Sequence, residues 1–360
     1  MRAVAPAHPI EDTGVIAPRP WNEPDAAAPS PAPAAAASAP GRDLRSAAAL
    51  RLALDAATIE IAGALDAAGV RSILLKGAAV ATRLYDAGER SYVDIDLLVD
   101  PARVADAERI VAGLGYVSPL AAARERWDHH AITWHRGQVT LDLHHRLFLV
   151  AGDAAAMWAV LSAHTRRLTL GGSEIEVLSD PALALVLVAH DVHHGTMAKP
   201  RQDLEQALAR FDRGAWEGAR DLAGRLDMLD LLAAGLRRDP RGHALADELG
   251  LPATYRADVH RWLGGPHPLV DGFARLRDAR SPASALRLLA SELVPSPAFM
   301  RYTQPRARAG RAGLALAYVL RAAHLVGRAP GALAYWRRAG PAAVDPTQRS
   351  RARTRRWRRG

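Results

Sequence analysis

One stretch, SILLKGAAVATRLYDAGERSYVDIDLLVD from Ser72 to Asp100, limits what this chain can become more than any other. Ile73, Leu74 and Leu75 form a short apolar run that stops at Gly77, the pattern of a buried strand entering a tight Lys-Gly turn. Ala78 to Tyr85 has helical composition, and Asp86-Ala87-Gly88 breaks it. Val93 to Val99 then reads as a strand that is apolar except at Asp94 and Asp96. Side chains alternate along a strand, so these two aspartates share a face. Carboxylates about 7 Å apart on one strand face repel each other and are costly to bury unless a cation lies between them. The pattern suits a divalent ion carrying phosphate oxygens. The plain alternative, for these two and for Asp142 further on, is three strand-end acids that cap turns or pair with arginines.

Composition removes several function classes. The chain of 360 residues has no cysteine, which excludes disulfides and thiolate metal sites. No apolar run reaches the length of a membrane span, and the N-terminus lacks the basic-then-apolar order of a signal peptide. The expected setting is cytoplasmic. The formal net charge of +9 is concentrated: Arg349 to Gly360 carries seven arginines and no acid, and without that tail the body is close to neutral. Charge alone therefore implies no nucleic-acid groove. The tail is expected to make non-specific electrostatic contacts with nucleic acid or anionic surfaces, with Trp357 available for stacking or surface insertion. Only two lysines, Lys76 and Lys199, stand against forty-five arginines, so a lysine at the turn points to a need for a compact ammonium.

Lys76-Gly77, then Arg90, then Asp94-Ile95-Asp96-Leu97-Leu98-Val99 resembles the nucleotidyltransferase family proteins of the DNA polymerase β superfamily. Within it, the match is to the bacterial branch in which a Lys-Gly turn replaces the usual Gly-Ser. The resemblance runs from about Ala47 to about Gly340, with the chemical motifs all before Leu147. It implies an α+β fold: a polymerase-β-like nucleotidyltransferase domain, a mixed sheet with flanking helices, followed by a mostly helical C-terminal domain. It also implies transfer of an NMP from an NTP to a hydroxyl of an unidentified acceptor, with two Mg2+ (or Mn2+) ions. The third metal-binding acid of the superfamily lies on a later strand beside the D-x-D strand, and the resemblance puts Asp142 there, where this branch often has glutamate.

In chain order, residues 1–42 are rich in Ala and Pro and are expected to be disordered. The nucleotidyltransferase domain is expected over 43–179, the helical domain over 180–340, and a disordered Arg-rich tail over 341–360. A helix is expected from Asp43 to Ala68 and another from Pro101 to Leu114. Ile132–His135 and Val139–Leu143 read as a hairpin turning through Arg136-Gly137-Gln138. On its second strand Asp142 and His144 share a face. Thr165–Leu170 and Glu174–Leu178 form a further pair that either closes the domain or decorates its edge. Ser179-Asp180-Pro181 starts a helix leading to His190. Further helices are expected over Gln202–Phe211, Ala215–Leu236, His243–Leu249, Thr254–Leu263, Pro282–Leu293 and Ala309–Val326.

Roles follow from the resemblance. Asp94, Asp96 and Asp142 are the catalytic and metal-binding candidates, with Asp142 the candidate general base. Lys76, Gly77 and Ala78 are the phosphate-binding candidates, although Ala78 lacks the hydroxyl of the usual Ser. Arg90 is a phosphate contact or a partner of Asp94. His144 and His190 are acceptor-pocket candidates, while His129 and His130 match a family position without an assigned role. His190, His193 and His194 at helical spacing also permit a separate metal site, and His190-Asp191 is reminiscent of HD-type phosphohydrolases. Two non-enzymatic alternatives stay open: an inactive nucleotide-binding or partner-binding module, and a nucleic-acid binder acting through the tail.

Overall fold

The computed structural model describes residues 40–118, 130–147, 153–194, 197–256 and 281–338, with isolated positions between 257 and 280. Nearly all of the Ala/Pro-rich N-terminus, the Arg-rich tail and half of the helix expected over Thr254–Leu263 lie outside the described residues. Six strands form one mixed sheet: β1 (Ser72–Leu74), β2 (Ile95–Val99), β3 (Ala131–Arg136), β4 (Val139–His144), β5 (Thr165–Leu170) and β6 (Ser173–Leu178). Their spatial order is β3-β4-β2-β1-β6-β5. β2 runs antiparallel to β1 and parallel to β4, while β6 runs parallel to β1. The β5–β6 hairpin thus joins the sheet beside β1, with β5 as an edge strand, which decides between closing and decorating the domain.

Alternation along the central strands splits the apolar residues between two cores. Leu74, Leu97, Val99, Leu141 and Leu143 turn to one face and pack under α1 (Pro40–Ala67) and α3 (Val104–Gly113) through Leu54, Ile61, Leu65, Val104 and Val111. Ile73, Leu75 and Leu98 turn to the other. There they meet α4 (Ala154–Leu161) and α5 (Asp180–His194), whose residues 182–189 are all buried. Each large aliphatic chain so buried contributes about 1.5–3 kcal/mol. The second core runs on through α6 (Ala198–Arg210), α7 (Arg213–Arg225), α8 (Leu229–Leu236) and α9 (Pro240–Glu248). The sheet and the first helices after it therefore share one apolar interior.

The helical half departs from the expected pattern at three places. The single helix expected over Ala215–Leu236 is two helices, α7 and α8. Asp227 adopts a left-handed φ of 58°, and Met228 N–H returns to the Ala223 carbonyl at 2.8 Å, which ends α7 as a glycine cap would. A short α11 (Pro297–Thr303), capped by Ser296, follows α10 (Pro282–Leu293) and was not expected. The last helix, α12, spans Gly310–Arg338 and continues through Pro330 rather than stopping at Val326. α2 covers Ala78–Leu84 between the Lys-Gly turn and the D-x-D strand.

Candidate active site

Parity decides where the acids go. Asp96 lies between Leu97 and Ile95, which point to the α1 side, so its own side chain turns with Leu98 toward α5. β4 runs alongside β2 in parallel register, with Asp96 opposite Asp142 and Leu98 opposite His144. Side chains opposite each other on neighbouring strands share a face, so Asp96, Asp142 and His144 converge. One ligand atom from each lies within 4.8 Å of the others, and they form the one group of metal-ligating side chains so placed among the described residues. Asp96 is 2% exposed and Asp142 is half-buried, its carboxylate accepting a 2.6 Å hydrogen bond from Thr133 Oγ1 on β3. Asp94, in the bend just before β2, is partly buried and near enough for the Asp96 and Asp142 charges to act on it, but it is not a member of that group.

The sequence places a cation at this corner. β1 ends and the chain turns at Lys76-Gly77, with Leu75 N–H still bonded to the Asp96 carbonyl at 2.9 Å. This backbone pairing fixes the turn against β2. Lys76 Nζ lies 2.9 Å from Asp96 Oδ1 and donates to His190 Nε2 of α5 at 3.4 Å. Gly77 has φ 61°, which a side chain would strain, although a Cβ there would meet the Asp94 carbonyl and the Tyr92 ring only at an ordinary 3.6 Å. The backbone angle, not crowding, is what requires glycine. Ala78 is buried and packs into the α1-side core.

The electrostatics follow from this crowding. Burial pushes the Asp94 carboxyl up, and the Asp96 and Asp142 charges add to that; Lys76 and Lys199 only partly offset it, leaving the group at about 6. Asp96 is buried still more deeply, but Lys76 and the His144 hydrogen bond outweigh desolvation and hold it below the usual carboxylate range. Burial draws the Lys76 ammonium down, yet Asp96, Asp94 and Asp142 together keep it above its ordinary value. His190 is driven well down by burial and by the Lys76 charge, so it is neutral beside the ammonium, and its Nδ1 is buried without a partner. Three carboxylates around one ammonium leave the corner net negative, which a divalent cation would compensate.

Arg90 sits elsewhere. Its Nε and Nη2 each bind an Asp203 oxygen of α6 at 2.7 Å, and Nη1 donates to the Gly77 carbonyl at 3.2 Å. Tyr85 Oη donates to the same Asp203 at 2.8 Å. This guanidinium fastens the Lys-Gly turn to the helical half. His130 packs its ring 5.5 Å from that of His144; His129 lies outside the described residues. His190 and His193 both stack edge-on against His194, but the trio does not form a metal-ligating group among the described residues. Asp191 is engaged by Arg201 and Arg238 at 3.3 Å each, so the His190-Asp191 pair is not arranged to share an ion.

Two residues near the site had no signal in the motifs. Tyr302 of α11 reaches His135 of β3 at 3.4 Å, and burial together with the Asp142 charge raises its phenol. Lys199, exposed at the start of α6, is close enough for Asp94 and Asp203 to oppose the lowering that burial and Arg90 impose on it. Its rarity in this arginine-rich chain was the only clue.

A family model described as uncharacterised nucleotidyltransferase matches residues 21–238. No curated protein matches significantly. Among solved structures, the antibiotic-resistance factor ANT(2'')-Ia is 17% identical, covering 47% of this chain and 91% of its own, with a TM-score of 0.35. The lincosamide antibiotic adenylyltransferase LnuA, solved with lincomycin bound, is 15% identical over 41% of this chain and 91% of its own, with a TM-score of 0.29. An antigenic nucleotidyltransferase-like protein from Paracoccidioides brasiliensis is 13% identical over 58% of this chain and 95% of its own, with a TM-score of 0.35. The family match takes in the whole sheet, the D-x-D strand, Asp142 and the helix bearing His190, more than half of the chain, and by it this protein belongs to the family of uncharacterised nucleotidyltransferases.

Proposed function

We propose that the protein transfers a nucleoside monophosphate from an NTP to a hydroxyl of an acceptor molecule. The observation that carries the reading is the in-register pairing of Asp96 with Asp142 on parallel strands, with the Lys76 ammonium set against Asp96. Asp94, Asp96 and Asp142 are the residues that would hold divalent ions, Mg2+ or Mn2+ and two in number. When bound, such ions neutralise triphosphate charge and lower the pKa of an attacking hydroxyl. Lys76 then has two partners to divide itself between, Asp96 and the incoming phosphates, and its short reach from a fixed turn suits it to both. The Gly77–Ala78 turn is the proposed point of backbone approach to the phosphates, and Arg90 holds that turn in place through the Gly77 carbonyl. Asp142 is the proposed acceptor of the hydroxyl proton. His190, neutral and partly buried beside Lys76, borders the proposed acceptor pocket together with His144. No helix among the described residues is long and apolar enough to cross a membrane. An NTP substrate fits a cytoplasmic setting.

The test is incubation of the protein with each α-labelled NTP and Mg2+ or Mn2+ in cell extract, followed by identification of the labelled species and assay of pyrophosphate. Label transfer with matching pyrophosphate release supports the proposal. Absence of both with all four nucleotides contradicts it. A second reading, a nucleotide-binding module without turnover, is favoured by one feature, the buried Ala78 where the superfamily carries a hydroxyl. ATP binding by calorimetry without pyrophosphate release would select it.

A further inference from the structure

We infer that His144 is a nitrogen ligand of the site and that the site therefore prefers a first-row transition ion such as Mn2+ over Mg2+. The inference rests on the metal-binding reading above and adds a donor that a three-carboxylate scheme lacks. His144 is 4% exposed, and its Nε2 lies 3.0 Å from Asp96 Oδ1. Two neighbouring donors about 2.1 Å from one octahedral ion stand about 3.0 Å apart, so this spacing is that of two adjacent ligands as well as that of a hydrogen bond. Asp142 completes the set, with one atom from each of the three residues within 4.8 Å of the others.

The rest of the imidazole argues against a purely structural role. A buried histidine that serves as a linker satisfies both ring nitrogens. Here Nδ1 is buried with no hydrogen-bond partner, so the polar capacity of the ring is directed to the Asp96 side alone. Asp96 Oδ1 is moreover already contacted by Lys76 at 2.9 Å and does not depend on His144 for a partner. An imidazole beside two carboxylates is a mixed nitrogen–oxygen donor set. Mg2+ favours all-oxygen surroundings, whereas imidazole raises affinity for later first-row ions, with Mn2+ the one that also suits carboxylates.

The probe is Mn2+ itself, added to the full-length protein and followed by electron paramagnetic resonance, with Mg2+ as competitor. In the wild type, bound Mn2+ should show 14N modulation from one imidazole and should resist displacement by at least about a tenfold excess of Mg2+. H144A and H144N should each lose the nitrogen signal and most of the preference for Mn2+ over Mg2+, with circular dichroism confirming that at least one of them is folded. D142N should lose bound Mn2+ regardless of the role of His144. Mn2+ held without nitrogen modulation, yet lost in D142N, overturns the inference and leaves the metal reading standing. Binding of neither ion, with or without ATP, overturns both.

Discussion

Two cation–carboxylate pairs flank the Lys-Gly turn, one within the sheet and one from the turn region to the helical half, and they are built differently. Arg90–Asp203 is closed: both carboxylate oxygens are bound at 2.7 Å, Tyr85 adds a further donor at 2.8 Å, and the remaining guanidinium arm takes the Gly77 carbonyl. Lys76–Asp96 is open. Its carboxylate lies among two further acids, its ammonium is shared with a neutral His190, and the Nδ1 atoms of both His144 and His190 are buried without partners. A fully hydrogen-bonded buried pair fixes one arrangement of the chain. An under-satisfied one has bonding capacity left for something else. Of the two, the closed pair is the rivet and the open pair is the proposed site.

The contrast breaks most visibly in activity. D142N removes a half-buried carboxylate whose one protein hydrogen bond comes from Thr133, so nucleotidyl transfer should fall by about 10³-fold, or about 4 kcal/mol of barrier. The melting temperature should hardly move; pyrophosphate release and calorimetry check the two halves of this outcome. D203A should do the reverse. It leaves Arg90 buried without its carboxylate and should cost about 3–5 kcal/mol in urea unfolding. Transfer by the fraction that remains folded should be much less affected than in D142N. If D203A costs under about 1 kcal/mol, the rivet is misidentified.

Smaller effects sharpen the open side. D94N should stabilise the metal-free protein at pH 7 by about 1–2 kcal/mol, a discounted share of the cost of ionising a buried acid. The sign follows from the direction of its shift. Burial and like charge raise the Asp94 carboxyl to about 6 in the folded chain, so the folded state holds its proton more tightly than the unfolded one. The resulting penalty is fully present above about pH 6 and gone below about pH 4, so unfolding curves of wild type and D94N should converge as pH falls. Deleting Arg349 to Gly360 should leave transfer unchanged, because the acids, the turn and His190 all lie in the body of the chain.

Much of the sheet could be read from local pattern. Alternation along Val93 to Val99 put Asp94 and Asp96 on one strand face, but β2 starts only at Ile95 and leaves Asp94 in the bend before it; the Arg136-Gly137-Gln138 turn set the hairpin that carries Asp142 and His144. The register that brings Asp142 opposite Asp96 is a parallel pairing between distant strands, which no local pattern encodes. Arg90 shows the same limit. Its partner Asp203 lies 113 residues away on a helix with no motif of its own, so the sequence offered only a phosphate or Asp94 as its contact. The break at Asp227 was hidden because a left-handed cap was made by an aspartate where glycine is the usual marker. Tyr302 was invisible because α11 is a helix of only seven residues that begins at Pro297 and is followed by Pro305.

The central claim is that the open corner binds nucleotide through a metal held by its acids. Titration of ATP into wild type, D96N and D142N by calorimetry, with and without Mn2+, tests it most directly. The account predicts Mn2+-dependent binding in the wild type and a loss of at least about tenfold in affinity in both variants. Equal affinity in all three proteins, or binding indifferent to the ion, would contradict it.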